Sequence, residues 1–82
     1  MKTFLLSNND NGEIIAVVQS EGLDDGRFLK KTKQAVKEHF TLDSIESANF
    51  VDSEKKASVY AEGTMDNEPM GYIIGVEEVV CY

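Results

Sequence analysis

The sequence predicts a two-layer α+β sandwich of order ββαβββ, one helix packed on a mostly antiparallel five-stranded sheet. Three observations carry this: one segment with helical apolar spacing, five β-rich segments around it, and a length of 82 residues, enough for one core only. A helix with a single apolar stripe is buried most economically against one face of such a sheet. Residues 1–82 are therefore read as a single domain, and no repeat, low-complexity tract or linker interrupts them.

The first two strands are expected at 2–7 and 13–20. Asn11-Gly12 lies between the apolar runs Phe4-Leu5-Leu6 and Ile14-Ile15-Ala16-Val17-Val18, and both turn residues tolerate the positive φ of a tight hairpin. Strict alternation puts Ile14 and Val18 on one face of the second strand and Ile15 and Val17 on the other. Apolar residues on both faces suit a strand covered on both sides or buried at a contact.

The helix is expected at 25–40. Asp24 or Asp25 can accept from the free N–H groups of its first turn, and Leu23 is placed to staple the loop near Phe28. Phe28, Leu29, Ala35, Val36 and Phe40, with Thr32 and His39, then fall on one stripe of period 3.6.

Three further strands, Ile45 to Asp52, Lys56 to Met65 and Met70 to Tyr82, read as an antiparallel meander separated by Asp52-Ser53-Glu54-Lys55 and Asp66-Asn67-Glu68-Pro69. The fourth strand alternates cleanly, with Ala57, Val59, Ala61 and Met65 facing one way and Ser58, Tyr60, Glu62 and Thr64 the other. Gly63 marks an expected bulge, and Gly75 with Glu77-Glu78 an expected bend in the last strand. A right-handed crossover through the helix allows the spatial orders 2-1-5-4-3 and 2-1-3-4-5. The first is preferred because it makes the apolar last strand internal.

Charge gives the strongest irregularity. The net charge is -7, from 8 basic and 15 acidic residues, yet Arg27, Lys30, Lys31, Lys33 and Lys37 all belong to the helix. Residues 27–38 sum to +4 and the rest of the chain to -11. A clustered basic face is an electrostatic footprint for phosphates or an acidic partner, although a solvated helix face has the same pattern. No aromatic residue is interleaved for base stacking, and the acidic remainder repels phosphate, so nucleic acid is possible but not favoured. An acidic inhibitor that imitates nucleic acid is a further alternative, with ordinary acidic solubility explaining the same composition.

Catalytic and cofactor chemistry finds little support. His39 is the only histidine, and its nominal partners, Cys81, Ser44, Ser47, Ser58, Asp43 and Asp52, show no nucleophile motif. At a helix end it can interact with free carbonyl groups instead. One His and one Cys cannot build a Cys/His zinc cluster. A calcium loop aligned on Gly12 places Ser7 at its first ligand and Val18 where a bidentate Glu is required, so the match fails. Gly71-Tyr72-Ile73-Ile74-Gly75 lacks phosphate-loop spacing. No catalytic residue, metal ligand or cofactor is therefore assigned.

The expected function is a nonenzymatic protein-interaction module, acting as a homodimer or an adaptor. Two surfaces are candidates: the basic helix face, and a sheet face of Ile15, Val17 and Tyr60, to which Tyr72 and Tyr82 would add an aromatic patch. A single cysteine, a start lacking a signal-like apolar region and no membrane-length apolar run fit a cytoplasmic protein.

Overall fold

The local rules of turn and cap chemistry decide where each element begins. The computed structural model describes residues 1–80; Cys81 and Tyr82, which the sequence places in the last strand, lie outside the described residues. Strands β1 (Lys2–Asn8) and β2 (Ile14–Ser20) precede helix α1 (Gly26–His39), followed by β3 (Ser44–Phe50), β4 (Ser58–Met65) and β5 (Glu68–Val79). The sheet order is β2-β1-β5-β4-β3 with every neighbouring pair antiparallel, the preferred of the two expected orders. β5 is the longest strand and is central: it pairs with β1 from Ile74 to Val79 and with β4 from Glu68 to Gly75.

The two hairpins solve their turns differently. At β1–β2 the turn is longer than the expected Asn11-Gly12 pair: Asn8 N–H donates to Glu13 O, Gly12 N–H donates to Asn8 O, and only Gly12 takes a positive φ, 75°. At β4–β5 the turn is tighter than expected. Asp66 and Asn67, at φ 53° and 65°, form a two-residue loop with both central residues left-handed, which matches strand twist. Glu68 and Pro69 therefore belong to β5. Pro69 opposes Thr64, one step from the closing pair Met65 and Glu68, so its missing N–H falls on the side where β5 runs beyond β1.

Bulges occur at positions other than those expected. The β1–β2 register shifts between Leu6 and Ser7, leaving Ile15 unpaired between Ala16 and Ile14, and the β3–β4 register shifts between Ile45 and Ser47. Gly63 itself is in register with Ile45 and lies beside the β3 bulge without forming it. β5 passes Gly75 and Glu77 with no register shift in either ladder, so no bulge forms there.

Helix α1 starts with Asp25, whose carboxylate accepts from Arg27 N–H at 3.0 Å. It ends in a Schellman arrangement: Leu42 N–H donates to Lys37 O at 2.9 Å, Thr41 N–H donates to Glu38 O at 3.4 Å, and Thr41 sits at φ 54°. This left-handed position usually belongs to glycine, and a β-branched residue there is strained.

One sheet face meets the helix. Phe4 and Leu6 of β1, Val18 of β2, Val59 and Ala61 of β4, Ala48 of β3 and Ile74 of β5 pack with Phe28, Val36 and Leu42. Phe28 is fully buried, edge-on to Phe4 at 5.2 Å between ring centroids and stacked on Phe50 at 5.8 Å. Burying such a ring contributes roughly 1.5–3 kcal/mol. Thr32, also buried, satisfies its hydroxyl by donating to Phe28 O. The helix packs chiefly beside β2 and β3, the two edge strands, with a groove along each flank.

Candidate interaction site

Helical geometry separates residues three and four apart from their immediate neighbours. The five basic residues consequently do not share one face. Lys30, Lys33 and Lys37 line the flank beside β3, whereas Lys31 faces β2, where its ammonium donates to the Gln19 carbonyl. Arg27, one turn before Lys31, is exposed at the start of the helix.

The β3 flank is the larger groove, with a volume of about 890 Å³. Its floor is aliphatic, formed by Leu29 from the helix, Leu42 from the helix exit, and Ile45 and Ala48 from β3. The three lysines form its rim, with Gln34, Glu38 and Thr41 completing the helix side. The strained Thr41 is thus part of this groove, and the Schellman turn that strains it also brings Leu42 back under the helix end. Long lysine stems cover apolar surface while their ammonium groups stay in water, so the groove presents an apolar floor and a positive rim together.

Of the five basic residues that the sequence marks on the helix, three line this groove, while its floor carries no such mark. Leu29 lies at the edge of the apolar stripe nearest Lys33, and Leu42 and Ile45 follow the helix end, a clustering of large aliphatics beside lysines that was available as a signal. Their convergence depends on β3 being the sheet edge and on the turn at Thr41.

The uncovered sheet face differs from the expected set. Val17 and Tyr60 lie on it, 59% and 41% exposed, but Ile15 is half-buried and packs against the core cluster. The bulge in β2 interrupts alternation, so Ile14, 61% exposed, occupies the open face in its place. Leu5, Ile73 and Val79 share this face, and Glu62 and Glu77 are charged residues upon it. The proposed tyrosine patch divides: Tyr72 is on the helix side, stacked on Phe40 at 3.9 Å, opposite to Tyr60, while Tyr82 lies outside the described residues.

His39 meets a carboxylate that the sequence did not suggest. Its Nε2 is 3.5 Å from Glu13 Oε1, and its ring is edge-on to Phe40 at 4.8 Å. Glu13 comes from the β1–β2 loop, so the contact ties that hairpin to the helix end. Ser44, the nearest of the nominal nucleophiles in sequence, instead shares a hydrogen bond with Thr64 at 2.6 Å across the β3–β4 ladder. Lys56 pairs with Asp24 and lies 6.0 Å from the Phe50 ring centroid, which fastens the β3–β4 loop to the helix approach. Among the described residues no group of three or more His, Cys, Asp or Glu is arranged to hold a metal ion, and no helix is long and apolar enough to cross a membrane.

Comparison with protein families, curated proteins and solved structures finds no match to this chain.

Proposed function

We propose that this chain is a nonenzymatic protein-interaction module that binds an acidic segment of a partner protein in the groove between α1 and β3. The observation that carries the reading is the pairing of an aliphatic floor, Leu29, Leu42, Ile45 and Ala48, with a rim of Lys30, Lys33 and Lys37. Charged groups across an interface select partners of opposite sign and speed their encounter, while the buried apolar centre supplies affinity. Carboxylates beside aliphatic side chains complement this groove in both respects.

The same features favour protein over nucleic acid. The named floor residues are aliphatic and offer no ring for base stacking. Glu38 stands on the rim, and the remainder of the molecule is strongly acidic. Catalysis is left out of the reading because the His39–Glu13 contact, though it pairs an imidazole with a carboxylate, has neither residue in the lining of the groove. A cytoplasmic setting belongs to the same proposal, supported by a single cysteine that cannot pair within the chain.

Selection from a displayed library of random linear peptides tests it, with the Lys30→Glu, Lys33→Glu, Lys37→Glu variant as the counter-target. Enrichment of peptides containing both acidic and aliphatic residues, bound by the original protein and not by the variant, is the expected result. Failure to enrich any lysine-dependent peptide overturns the reading. Binding of single-stranded or duplex RNA or DNA at low salt that disappears in the variant, without such peptides, replaces it with nucleic-acid recognition.

A further inference from the structure

The outer strands of a sheet carry unpaired backbone groups, and folded proteins usually obstruct them. The two edges here are treated unequally. At β2, Lys31 reaches from the helix and occupies the Gln19 carbonyl. β3, at the opposite edge, pairs among the described residues with β4 on one side only. Its bulge splits the β3–β4 ladder into a short stretch, Ser44 and Ile45, and a longer one running from Ser47 to Phe50. Val51 N–H donates inward to Ser58 O, so the alternation of an antiparallel ladder turns the N–H and C=O of Ala48 and Phe50 outward to the free edge.

This stretch of edge, unpaired on its outer side, borders the lysine-rimmed groove: Phe50 is half-buried, and Ala48, 6% exposed, lies in the groove floor. From this we infer that the acidic partner segment binds as a sixth strand, hydrogen-bonded to the β3 edge at Ala48 and Phe50, with every second side chain turned toward α1. The inference rests on the groove being the partner site and adds the conformation and spacing of what it binds. Lys30, Lys33 and Lys37 succeed one another at about 4.5 and 6 Å along the helix axis. Alternate residues of an extended strand recur at about 6.6 Å, within reach of flexible lysine side chains. Carboxylates two residues apart therefore meet successive lysines, and an aliphatic residue in the same row meets Ile45 and Ala48. Backbone pairing supplies affinity and the alternate side chains supply selectivity.

A second copy of the chain is the less suitable occupant of this edge. Symmetric pairing of β3 with β3 brings one lysine-rimmed groove toward another, and like charges in register oppose association.

The peptides enriched in the selection decide the point. The expected result is that their acidic and aliphatic residues recur at every second position. A synthetic peptide of the best sequence, N-methylated at the residues that face β3, should then bind about tenfold more weakly or worse, as loss of backbone pairing requires. Amide exchange at Ala48 and Phe50 should slow when the unmodified peptide is bound. Enriched residues spaced three and four apart, with no effect of N-methylation and unchanged exchange at Ala48 and Phe50, overturn strand addition in favour of a helical ligand and leave the groove assignment standing. Absence of any lysine-dependent peptide overturns both. Concentration-dependent dimerisation that slows exchange at Ala48 and Phe50 without peptide overturns the choice of an acidic partner in favour of a second copy.

Discussion

Gly63 lies against the backbone of Ser44: a Cβ built on it falls 2.9 Å from Leu42 Cδ1 and closer still to the Ser44 carbonyl oxygen. The contact follows from the β3 bulge, which brings the start of that strand down onto β4, and from the Schellman turn, which returns Leu42 to the same place. Backbone has little freedom to withdraw, unlike the end of a long side chain. Gly63→Ala should therefore destabilise the fold by about 1–3 kcal/mol, the usual cost of overpacking a filled interior. A urea titration checks it, and an unchanged midpoint would show that the bulge yields.

The two ends of α1 should respond in opposite senses. Asp25→Ala removes the side chain that accepts from Arg27 N–H and should cost about 0.5–2 kcal/mol. Thr41→Gly relieves a β-branched residue at φ 54° and should raise stability by about 0.5–1 kcal/mol after the greater freedom of glycine in the unfolded chain is offset. Thermal and urea unfolding of both variants test the pair. A loss of stability on Thr41→Gly would mean that the threonine side chain contributes more than its backbone costs.

Edge protection by Lys31 gives a different observable. Lys31→Met keeps an apolar stem but removes the donor to Gln19 O, and at this exposed position stability should change by less than about 0.5 kcal/mol. The β2 edge is then uncovered. Light scattering over a concentration series should show a larger mean mass for the variant than for the original protein. Equal masses would indicate that the lysine contact does not limit pairing at this edge.

The fold was legible where one local rule acted alone. The stripe from Phe28 to Phe40 and the aspartates before it located α1, and alternation in β4 separated Val59 and Ala61 from Tyr60 and Glu62. The 2-1-5-4-3 order was one of two that the connections allowed, preferred because it makes the apolar last strand internal. What escaped were features set between strands. Nothing in Ile14-Ile15 marks which isoleucine is left unpaired, because a bulge is a property of the β1–β2 register. Gly63 interrupts the alternation of β4 as a bulge would, but its role is space beside the bulge of β3. The turn at Thr41 was hidden because threonine is a poor occupant of the conformation it adopts. At the site, the lysines were visible as charge, whereas their division between two grooves required the seating of the helix on the sheet. The floor required Leu29 and Leu42, adjacent to opposite ends of the lysine row, to meet β3 residues at the edge.

The β2 bulge makes the last prediction. Ile15 is half-buried and packs against the core, whereas Ile14 is 61% exposed on the open sheet face. Ile15→Ala should cost about 1–2 kcal/mol, below the full range for a buried isoleucine because part of its surface already meets water. Ile14→Ala should stay within about 0.5 kcal/mol in dilute protein. Strict alternation without the bulge would place Ile14 on the helix side with the buried Val18 and Ile15 on the open face with the exposed Val17, the opposite ranking, so the difference between the two variants reports directly on the register. Repeating the measurement at high protein concentration adds a second reading. A cost for Ile14→Ala that grows with concentration would show that a second copy covers the open face, since only association can bury that side chain; a cost that stays small counts against self-association through that face.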